Sequence, residues 1–416
     1  MAEFPYPVRD FACQKYPKEI WECMRDYDDV FYHSLCVYAG TVVGETGIPG
    51  LKIDFRAGLR LEVPKGKFHV RLSDGESGRV LLEEDVSETL LVSIEKYFIP
   101  WHVEVWREGE LVFVHDIDLD GQEIYVAVLS PSLGDMLAYL PSVVEFERMH
   151  HAHVTLRVSE PYEDVVHLCY PSFPLAQKMP DEAYAAFYIG NGSGDPHQTP
   201  VDGRRLPLER IARVILGMDG APPAPPASIG ERLRKAPRLI AEPYVCISIQ
   251  ASSVLKSWLW PGGWDIVVAA LKEAGYRVVC IDRDREQSAY GITVRCPEGA
   301  EDDTGEKPLT ERAQLLAHAA FCVGISSGLS WLAWTVGCPV VMIAGFTLPW
   351  NEFPEAYRVW NPRVCSGCSQ EVEHDFISAP CPRHGRKSPR FAECQRSISP
   401  QHVLRIIERM RSERQR

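Results

Sequence analysis

The sequence predicts an α/β protein, and three patterns support that prediction. The apolar, β-branched run Glu123–Leu129 is followed by a loop of small residues and then by apolar residues at helical spacing. After Tyr244, short apolar runs alternate regularly with helical patterns, as in parallel sheets with helical crossovers. Five prolines fall between Ala221 and Pro237, where they interrupt this alternation. Together these patterns predict two Rossmann-like lobes that are joined by a proline-rich segment.

The composition is that of an ordinary globular protein. The chain has 416 residues, of which 45% are hydrophobic and 24% charged, and its net charge is −13. This charge argues against binding nucleic acid or anionic lipid through bulk attraction. No apolar run approaches the roughly 20 residues that a membrane helix needs. The first residues, MAEFPYPVRD, lack the apolar core of a signal peptide, so a cytoplasmic location without a membrane span is expected.

Residues 1–121 are predicted to form a strand-rich accessory module. Apolar and polar residues alternate in Leu51–Arg56 and Trp101–Arg107, and turn signals stand at Asp74-Gly75 and Glu108-Gly109. Some helix is expected near the N-terminus. Nothing in this module resembles catalytic chemistry, so a role in recognition or assembly is predicted.

Residues 122–220 are predicted to form the first lobe. The run Glu123–Leu129 is its first strand, Val165–Tyr170 a second strand, and Leu208–Leu216 an amphipathic helix. Residues 221–243 are then the linker, because a proline-rich stretch acts as a semi-rigid spacer.

Residues 244–416 are predicted to form the second lobe. Four strands are expected, at Tyr244–Ile249, Arg277–Asp282, Phe321–Ile325 and Pro339–Ile343. Helices are expected at Trp264–Ala274, Leu309–Ala320, Leu329–Val336 and Pro400–Arg411.

The loop Ser130–Asp135 carries one carboxylate at the end of a predicted buried strand. Ligands bind at the carboxyl ends of strands in open α/β sheets, so Asp135 is a candidate catalytic residue. The alternative is that Asp135 caps the following helix or complements its dipole. Local sequence by itself favours the cap.

Two loops of the second lobe could hold a diphosphate. The loop Gly324–Ser330 lies between a strand and a helix, whose N-terminus offers free N–H groups. Lys256 follows the first strand of the same lobe and could act as a point charge on a phosphate. The alternatives are an ordinary serine-capped turn and a solvated surface lysine. Asp282, at the end of its strand, could contact a ribose hydroxyl.

Four cysteines near the C-terminus have metal-ligand spacing. Cys365 and Cys368 form a CxxC pair, and twelve residues then precede each of Cys381 and Cys394. Cytosolic thiols stay reduced, so a closed structural metal site is predicted rather than disulfides. Zinc is the default ion and iron the alternative. The intervening His374 and His384 are expected to be solvated or to lie behind the ligands.

Several familiar catalytic motifs are absent from the sequence. It contains no GxxxxGK[ST], GxSxG or HExxH, and no GxGxxG after a strand. These absences weaken ATPase, hydrolase, metalloprotease and dehydrogenase interpretations.

Three segments resemble the ADP-heptose-using heptosyltransferases. Ser132–Pro141 is similar to their Gly-Asp loop and the helix that reaches a Leu-Pro, and Lys256 is similar to their phosphate-binding lysine. Ser326–Ser330 resembles their donor loop, usually Asp-Thr-Gly-Leu-Ser-His. Here Ser326 stands in place of the acid and Trp331 in place of the histidine. The resemblance thus implies that Asp135 is the catalytic residue, with Ser132, Leu133 and Gly134 as its loop, and that the donor is bound by Lys256, Ser326, Ser327, Gly328, Leu329 and Ser330.

The departures in this loop, the strand-rich module and the four cysteines look like the bacterial autotransporter heptosyltransferase branch. That resemblance implies a two-lobed GT-B architecture with the catalytic cleft between the lobes. It also implies transfer from ADP-heptose to serine or threonine hydroxyls of an autotransporter adhesin, with inversion and with Asp135 as general base. An iron held by the four cysteines and a high-order ring-like assembly such as a dodecamer are further implications. No Mg²⁺ is expected in catalysis.

Two rival functions fit parts of the sequence. One is a related glycosyltransferase with another donor or with a lipopolysaccharide acceptor. The other is a metal-stapled scaffold without catalysis, in which Asp135 is only a cap.

Overall fold

A computed structural model describes residues 13–17, 41–191, 195–373 and 381–415, with backbone alone for 13–17. The helix expected near the N-terminus falls outside these residues, as does His374. The strands are β1 (Cys13–Pro17), β2 (Lys52–Arg56), β3 (Arg60–Val63), β4 (Phe68–Asp74), β5 (Val80–Val86), β6 (Thr89–Ser93), β7 (Trp101–Arg107), β8 (Glu110–Asp116), β9 (Glu123–Val128), β10 (His153–Arg157), β11 (Ala185–Ile189), β12 (Tyr244–Ser248), β13 (Arg277–Cys280), β14 (Glu286–Ala289), β15 (Ile292–Arg295), β16 (Glu301–Asp302), β17 (Cys322–Ile325), β18 (Val340–Ile343) and β19 (Tyr357–Val359).

The α-helices of the described residues alternate with the later strands. They are α1 (Leu133–His150), α2 (Glu163–Cys169), α3 (Leu208–Ile215), α4 (Ser228–Lys235), α5 (Gly263–Glu273), α6 (Leu309–His318), α7 (Gly328–Thr335), α8 (Glu393–Arg396) and α9 (Pro400–Arg414). None of these described helices is both long enough and apolar enough to cross a bilayer.

The first lobe is organised around a seven-stranded sheet in the order β1-β6-β3-β2-β11-β9-β10. Strands β10, β9 and β11 are parallel, and β9 lies between the other two. Its residues from Ile124 to Val128 are buried, which explains the continuous apolar run in the sequence. The loop before α1 therefore begins at the carboxyl end of the central strand of the parallel trio β10, β9 and β11.

The N-terminal strands extend the sheet of the first lobe. Strand β2 pairs in parallel with β11, and β3, β6 and β1 continue the sheet with antiparallel pairing. A boundary at residue 121 thus separates strands that share one sheet. Alternation predicts strands, but the partner of an edge strand depends on which apolar faces meet in the folded chain.

A second N-terminal sheet, β5-β4-β7-β8, packs against the first lobe. His115 on β8 stacks on Phe55 of β2, with ring centroids 5.9 Å apart, and its Nε2 lies 2.7 Å from the hydroxyl oxygen of Tyr184. Burial lowers the pKa of His115, so the neutral imidazole is favoured in this contact.

Two expectations for the middle of the chain are wrong. Val165–Tyr170 is not a strand, because α2 covers Glu163–Cys169, and the second strand of the lobe is β10. Val165, Val166 and Cys169 are buried on one face of α2, so a short buried helix gives the same apolar run as a strand. The proline-rich linker is not only a spacer, because it contains α4, whose Ile229 is buried.

The second lobe confirms the predicted β/α alternation. Its sheet has the order β16-β13-β12-β17-β18-β19, and every pairing in it is parallel. Strands β12 and β17 are neighbours, so the loops that follow them, with Lys256 and Ser326–Ser330, emerge side by side. The two lobes meet where α1 packs against α7.

Candidate active site

Asp135 lies in the first turn of α1, but it is not the helix cap. The N-cap residue is Ser132, whose side chain makes no capping hydrogen bond. The hydroxyl of Ser130 donates a hydrogen bond to Asp135 Oδ2 at 2.5 Å and accepts one from the backbone N–H of Ser132 at 3.2 Å. The loop thus holds the half-buried carboxylate by a side chain that comes before the helix.

The environment of Asp135 favours a proton acceptor with a raised pKa. Burial raises the pKa of this carboxyl, while the hydrogen bond from Ser130, the charge of Lys256 and the hydrogen bond from Ser132 lower it. The influence of Lys256 is informative, because this residue belongs to the other lobe. The charge of Lys256 thus acts on the predicted base from the second lobe.

Glycines let the two lobes approach closely at this point. A Cβ atom on Gly328, the first residue of α7, would lie 2.8 Å from Cβ of Leu133 and 3.2 Å from N of Gly134. A Cβ atom on Gly134 would lie 3.2 Å from Trp331 Cδ1. The Asp135 loop and the start of α7 are therefore in direct contact, and a side chain larger than hydrogen at Gly134 or Gly328 would be crowded.

The residues of the loop Ser326–Ser330 have different tasks. Ser326 is buried, and its hydroxyl donates to Glu352 Oε1 at 2.5 Å. The Ser330 hydroxyl, fully buried, donates to the carbonyl oxygen of Ile325 at 2.7 Å. Both side chains thus stabilise the loop from inside, and among the predicted donor-binding residues of this loop Ser327, Gly328 and Leu329 are only partly buried.

Ser327 is the N-cap residue of α7 and lies at the sheet edge. Its Oγ is 3.3 Å from the hydroxyl oxygen of Ser248 at the end of β12. Its carbonyl accepts hydrogen bonds from the N–H groups of Ser330 and Trp331, as expected for the first turn. The start of α7 thus offers a helix N-terminus at the same sheet edge as the loop that carries Lys256, an arrangement that suits a phosphate group.

Sequence reasoning missed the carboxylate that supports this loop. Glu352 is almost fully buried and accepts hydrogen bonds from Ser326, Thr347 and Arg358. It belongs to a loop after β18, and no local pattern marks it. Ser326 replaces an acid in the resembled loop, and the structure supplies a carboxylate to its hydroxyl from elsewhere in the chain.

Trp331 and Asp282 are structural in this geometry. Trp331 is buried between the lobes, with its ring centroid 5.1 Å from that of Phe353. Asp282 is 1% exposed, and its carboxylate accepts hydrogen bonds from the N–H groups of Ile249 at 2.9 Å and Gln250 at 3.1 Å. Burial raises the pKa of Asp282 to about 6. Asp282 thus stabilises the start of the loop that leads to Lys256. Its carboxylate is buried in these hydrogen bonds, so the predicted contact with a ribose hydroxyl is not supported.

The four cysteines of the C-terminal segment act on one another electrostatically. Burial and then the charges of Cys365, Cys368 and Cys381 raise the pKa of Cys394 to about 12. Deprotonated thiols at this spacing repel one another, and a bound cation would offset that repulsion. The donor set therefore suits a soft metal ion.

His384 lies closer to this cluster than the sequence indicated. A ring nitrogen of His384, the sulfur of Cys365 and a carboxylate oxygen of Glu393 all lie within 4.8 Å of one another. Nε2 of His384 is buried and has no hydrogen-bond partner among the described residues. Of the two alternatives expected for His384, the solvated one is thus wrong, and the described residues that could hold a metal ion together are Cys365, His384 and Glu393.

Two α/β lobes that meet at the Asp135 loop and the start of α7 have the architecture of a glycosyltransferase-type enzyme. Family models match in both parts of the chain: residues 47–109 match "Glycosyltransferase TibC, N-terminal domain", and residues 204–375 match "Glycosyltransferase family 9 (heptosyltransferase)".

Relatives cover most of the chain. Autotransporter heptosyltransferase TibC of Escherichia coli O78:H11 is 38% identical over 381 residues, which are 88% of this chain and 91% of that protein. Heptosyltransferase BAHTCr of Citrobacter rodentium is also 38% identical, over 88% of this chain and 90% of its own. A protein named inactive autotransporter heptosyltransferase BimC, from Burkholderia thailandensis, is 33% identical over 87% of this chain and 86% of its own. This chain belongs to the autotransporter heptosyltransferase family.

Solved structures agree with this assignment. The crystal structure of TibC, described as a bacterial iron-containing dodecameric glycosyltransferase, superposes with a TM-score of 0.82 at 35% identity. It covers 89% of this chain and 98% of that chain. A second TibC structure, in complex with ADP-D-β-D-heptose, gives a TM-score of 0.81 at the same identity and coverage.

Proposed function

We propose that this protein transfers heptose from ADP-heptose to serine or threonine hydroxyls of a bacterial autotransporter. The observation that carries the proposal is the contact between the Asp135 loop and the start of α7, with the charge of Lys256 acting on Asp135 from the second lobe. The relatives named autotransporter heptosyltransferases and the TibC complex with ADP-heptose support the substrates.

The proposed mechanism divides the chemistry between the lobes. Asp135 takes the proton from the acceptor hydroxyl as its oxygen bonds to the anomeric carbon. The bond from that carbon to the phosphate oxygen breaks on the opposite side, so the configuration inverts and ADP leaves. Lys256 and the backbone around Ser327 and Gly328 stabilise the negative charge of ADP without Mg²⁺. A raised pKa suits Asp135 to this task, because a stronger base accepts the proton more readily.

We also propose that Cys365, Cys368, Cys381 and Cys394 hold one structural metal ion, with His384 and Glu393 beside it. The description of TibC as iron-containing supports iron over zinc. The description of TibC as dodecameric supports a high-order homo-oligomer such as a dodecamer, and a cytoplasmic location fits a nucleotide-activated donor. The division into 1–121, 122–220, 221–243 and 244–416 remains our proposal for the domains, with strands β2 and β11 bridging the first two.

The function is tested by incubating the purified protein with ADP-heptose. Release of ADP and a matching mass increase on an autotransporter fragment are the expected result. A lipopolysaccharide core acceptor in a parallel reaction tests the related-transferase alternative. Absence of ADP release with both acceptors would overturn the proposal in favour of a non-catalytic scaffold.

Replacing Ser130 by alanine should raise the pKa of Asp135. The Ser130 hydroxyl donates to the ionised carboxylate and so stabilises it; without that donor the proton binds more tightly. The acidic limb of the kcat/KM profile should then move to higher pH by roughly half a unit to one unit, the equivalent of about 1 kcal/mol. Ser399→Ala, at the distant start of α9, is the control; an unchanged S130A profile would contradict the assignment of Asp135 as base.

A methyl group on Gly328 should separate the two halves of the site. The new Cβ would lie 2.8 Å from Cβ of Leu133, so one lobe has to shift against the other. We expect Gly328→Ala to lower kcat/KM by about 10²-fold, because small displacements of reacting groups are costly.

Gly190→Ala is the matched control for this substitution. Gly190 follows β11 in the first lobe, and a Cβ there meets nothing within 4 Å. Full activity of G328A would show that the two loops need not touch during the reaction.

A further inference from the structure

The candidate metal segment is connected to the donor side of the cleft through one buried glutamine. Gln395 follows Cys394 directly in α8 and is fully buried. Its side-chain nitrogen Nε2 donates to the carbonyl oxygens of Leu255 at 3.2 Å and Lys256 at 2.9 Å. These are the two residues at the end of the short 3-10 turn Val254–Lys256.

The other end of the same amide binds a second loop. Oε1 of Gln395 accepts a hydrogen bond from the backbone N–H of Gly345 at 3.3 Å, just after β18. The backbone carbonyl of Gln395 accepts one from the N–H of Leu259 at 3.1 Å. One residue thus ties together the loops that follow β12 and β18 on the side of the sheet that faces the cleft.

The fit between the segment and the sheet edge is close. A Cβ atom on Gly345 would lie 2.6 Å from the carbonyl oxygen and 2.9 Å from Cβ of Cys394. One of these atoms is a backbone oxygen and the other is Cβ, so neither can move away by rotation of a side chain. Gly345 therefore allows the segment to come near enough for the Gln395 amide to reach Lys256.

The turn that carries Lys256 needs such support. Its two i→i+3 hydrogen bonds, from the N–H groups of Lys256 and Ser257, use the carbonyl oxygens of Ser253 and Val254, so those of Leu255 and Lys256 would otherwise depend on solvent. The amide of Gln395 satisfies two of those carbonyl groups inside the protein, where an unpaired carbonyl is costly. The direction in which the Lys256 side chain leaves the turn is thereby fixed.

We propose that Gln395 is a positioning residue, which holds Lys256 in the cleft by hydrogen bonds from its buried amide to the Leu255 and Lys256 carbonyl oxygens. It touches neither donor nor acceptor and acts through Lys256. The proposal deepens the proposed function, because it rests on the role given there to Lys256. It also gives the four-cysteine segment a task in the reaction, since Cys394 and Gln395 are adjacent.

The charge of Lys256 supplies a readout that general destabilisation would not change. Lys256, Tyr139 and Tyr162 are the ionisable groups that interact with Asp135 among the described residues. Of these, Lys256 favours the ionised carboxylate. If Gln395 positions Lys256, its loss should raise the pKa of Asp135 in the same direction as loss of Lys256 itself.

The test compares Gln395→Met, Lys256→Met and the double variant in the full-length protein. Each is measured for the ADP dissociation constant, the pH dependence of kcat/KM, metal content and Tm. Q395M should weaken ADP binding by about tenfold, as expected for one or two lost hydrogen bonds, and should move the acidic limb to higher pH. The double variant should bind ADP no more weakly than K256M, because both substitutions remove one interaction.

Gln370→Met is the matched control. Gln370 also lies in the cysteine segment and also joins it to another loop. Its Oε1 accepts a hydrogen bond from the N–H of Leu348 and its Nε2 donates one to Oδ1 of Asn351, but no hydrogen bond joins it to Lys256. It should leave ADP binding and the pH profile unchanged. Gln395→Asn is measured as well, since it should displace Lys256 in the same direction even if Q395M fails to fold.

The outcomes separate this inference from the proposed function. The inference would be overturned by additive losses of ADP binding in the double variant, or by Gln395 variants that bind ADP as Q370M does. Heptose transfer by the wild type would still uphold the proposed function in that case. If the losses of ADP binding are non-additive but the wild type transfers no heptose, the positioning role of Gln395 is upheld and the proposed function is overturned. Absence of ADP binding by the wild-type protein would overturn both.

Discussion

Replacing Asp135 by asparagine should lower heptose transfer by about 10²- to 10⁴-fold, the usual contribution of a general base. Asparagine has the same shape and can still accept the hydrogen bond from Ser130, so the loop should stay in place. It cannot take a proton from the acceptor hydroxyl. ADP binding should survive, because Lys256 and the start of α7 belong to the other lobe.

The matched control is Asp164→Asn. Asp164 is an exposed acid in the first turn of α2, so this substitution repeats the change of charge near a helix N-terminus without a cleft. Its effect on transfer should be small. Near-normal transfer by D135N, measured as ADP release under saturating donor, would contradict the role as general base and leave Asp135 with only a structural role at the start of α1.

Loss of one thiol should cost the metal and much of the stability of the second lobe. We expect Cys365→Ser to be purified without its metal ion and with a Tm lower by roughly 10 °C, since metal binding at structural sites contributes directly to folding. The position of Gln395 next to Cys394 adds a second effect, weaker binding of ADP. Metal analysis, thermal unfolding and ADP titration of the same preparation measure all three.

Cys296→Ser is the control for this experiment. Cys296 is half-buried in the same lobe but lies outside the cysteine cluster, so metal content should not change. Metal analysis of the wild type also distinguishes iron from zinc. A soluble, metal-free and fully active C365S protein would contradict the structural-metal proposal.

Local periodicity was enough to predict the four central strands of the second lobe and the helices between them. These strands are buried on both faces and helices such as α5 have one buried face, so each element is marked by its own residues, as β17 and α5 show. The same kind of pattern located the strand–loop–helix around Asp135. It failed for α2, because a short helix that is buried along one face leaves the same apolar run as a strand.

The sheet partners of the N-terminal strands could not be predicted in this way. Alternation identifies a strand and its buried face, but β2 lies beside β11 only because the chain returns there more than a hundred residues later. The proline-rich linker shows the opposite limitation. Its prolines exclude a long helix, yet the eight residues of α4 fit between them and pack against the lobes.

The sequence by itself thus determined the α/β class, the loop with Asp135, the Lys256 and Ser326–Ser330 loops, and the four-cysteine spacing, because each depends on neighbouring residues. Tertiary structure decided how these parts act together. Gly134 meets Gly328, Lys256 faces Asp135, Ser326 depends on Glu352, and Gln395 supports Lys256. Every one of these contacts joins residues from different elements, and such pairings follow from the packing of whole lobes rather than from any local pattern.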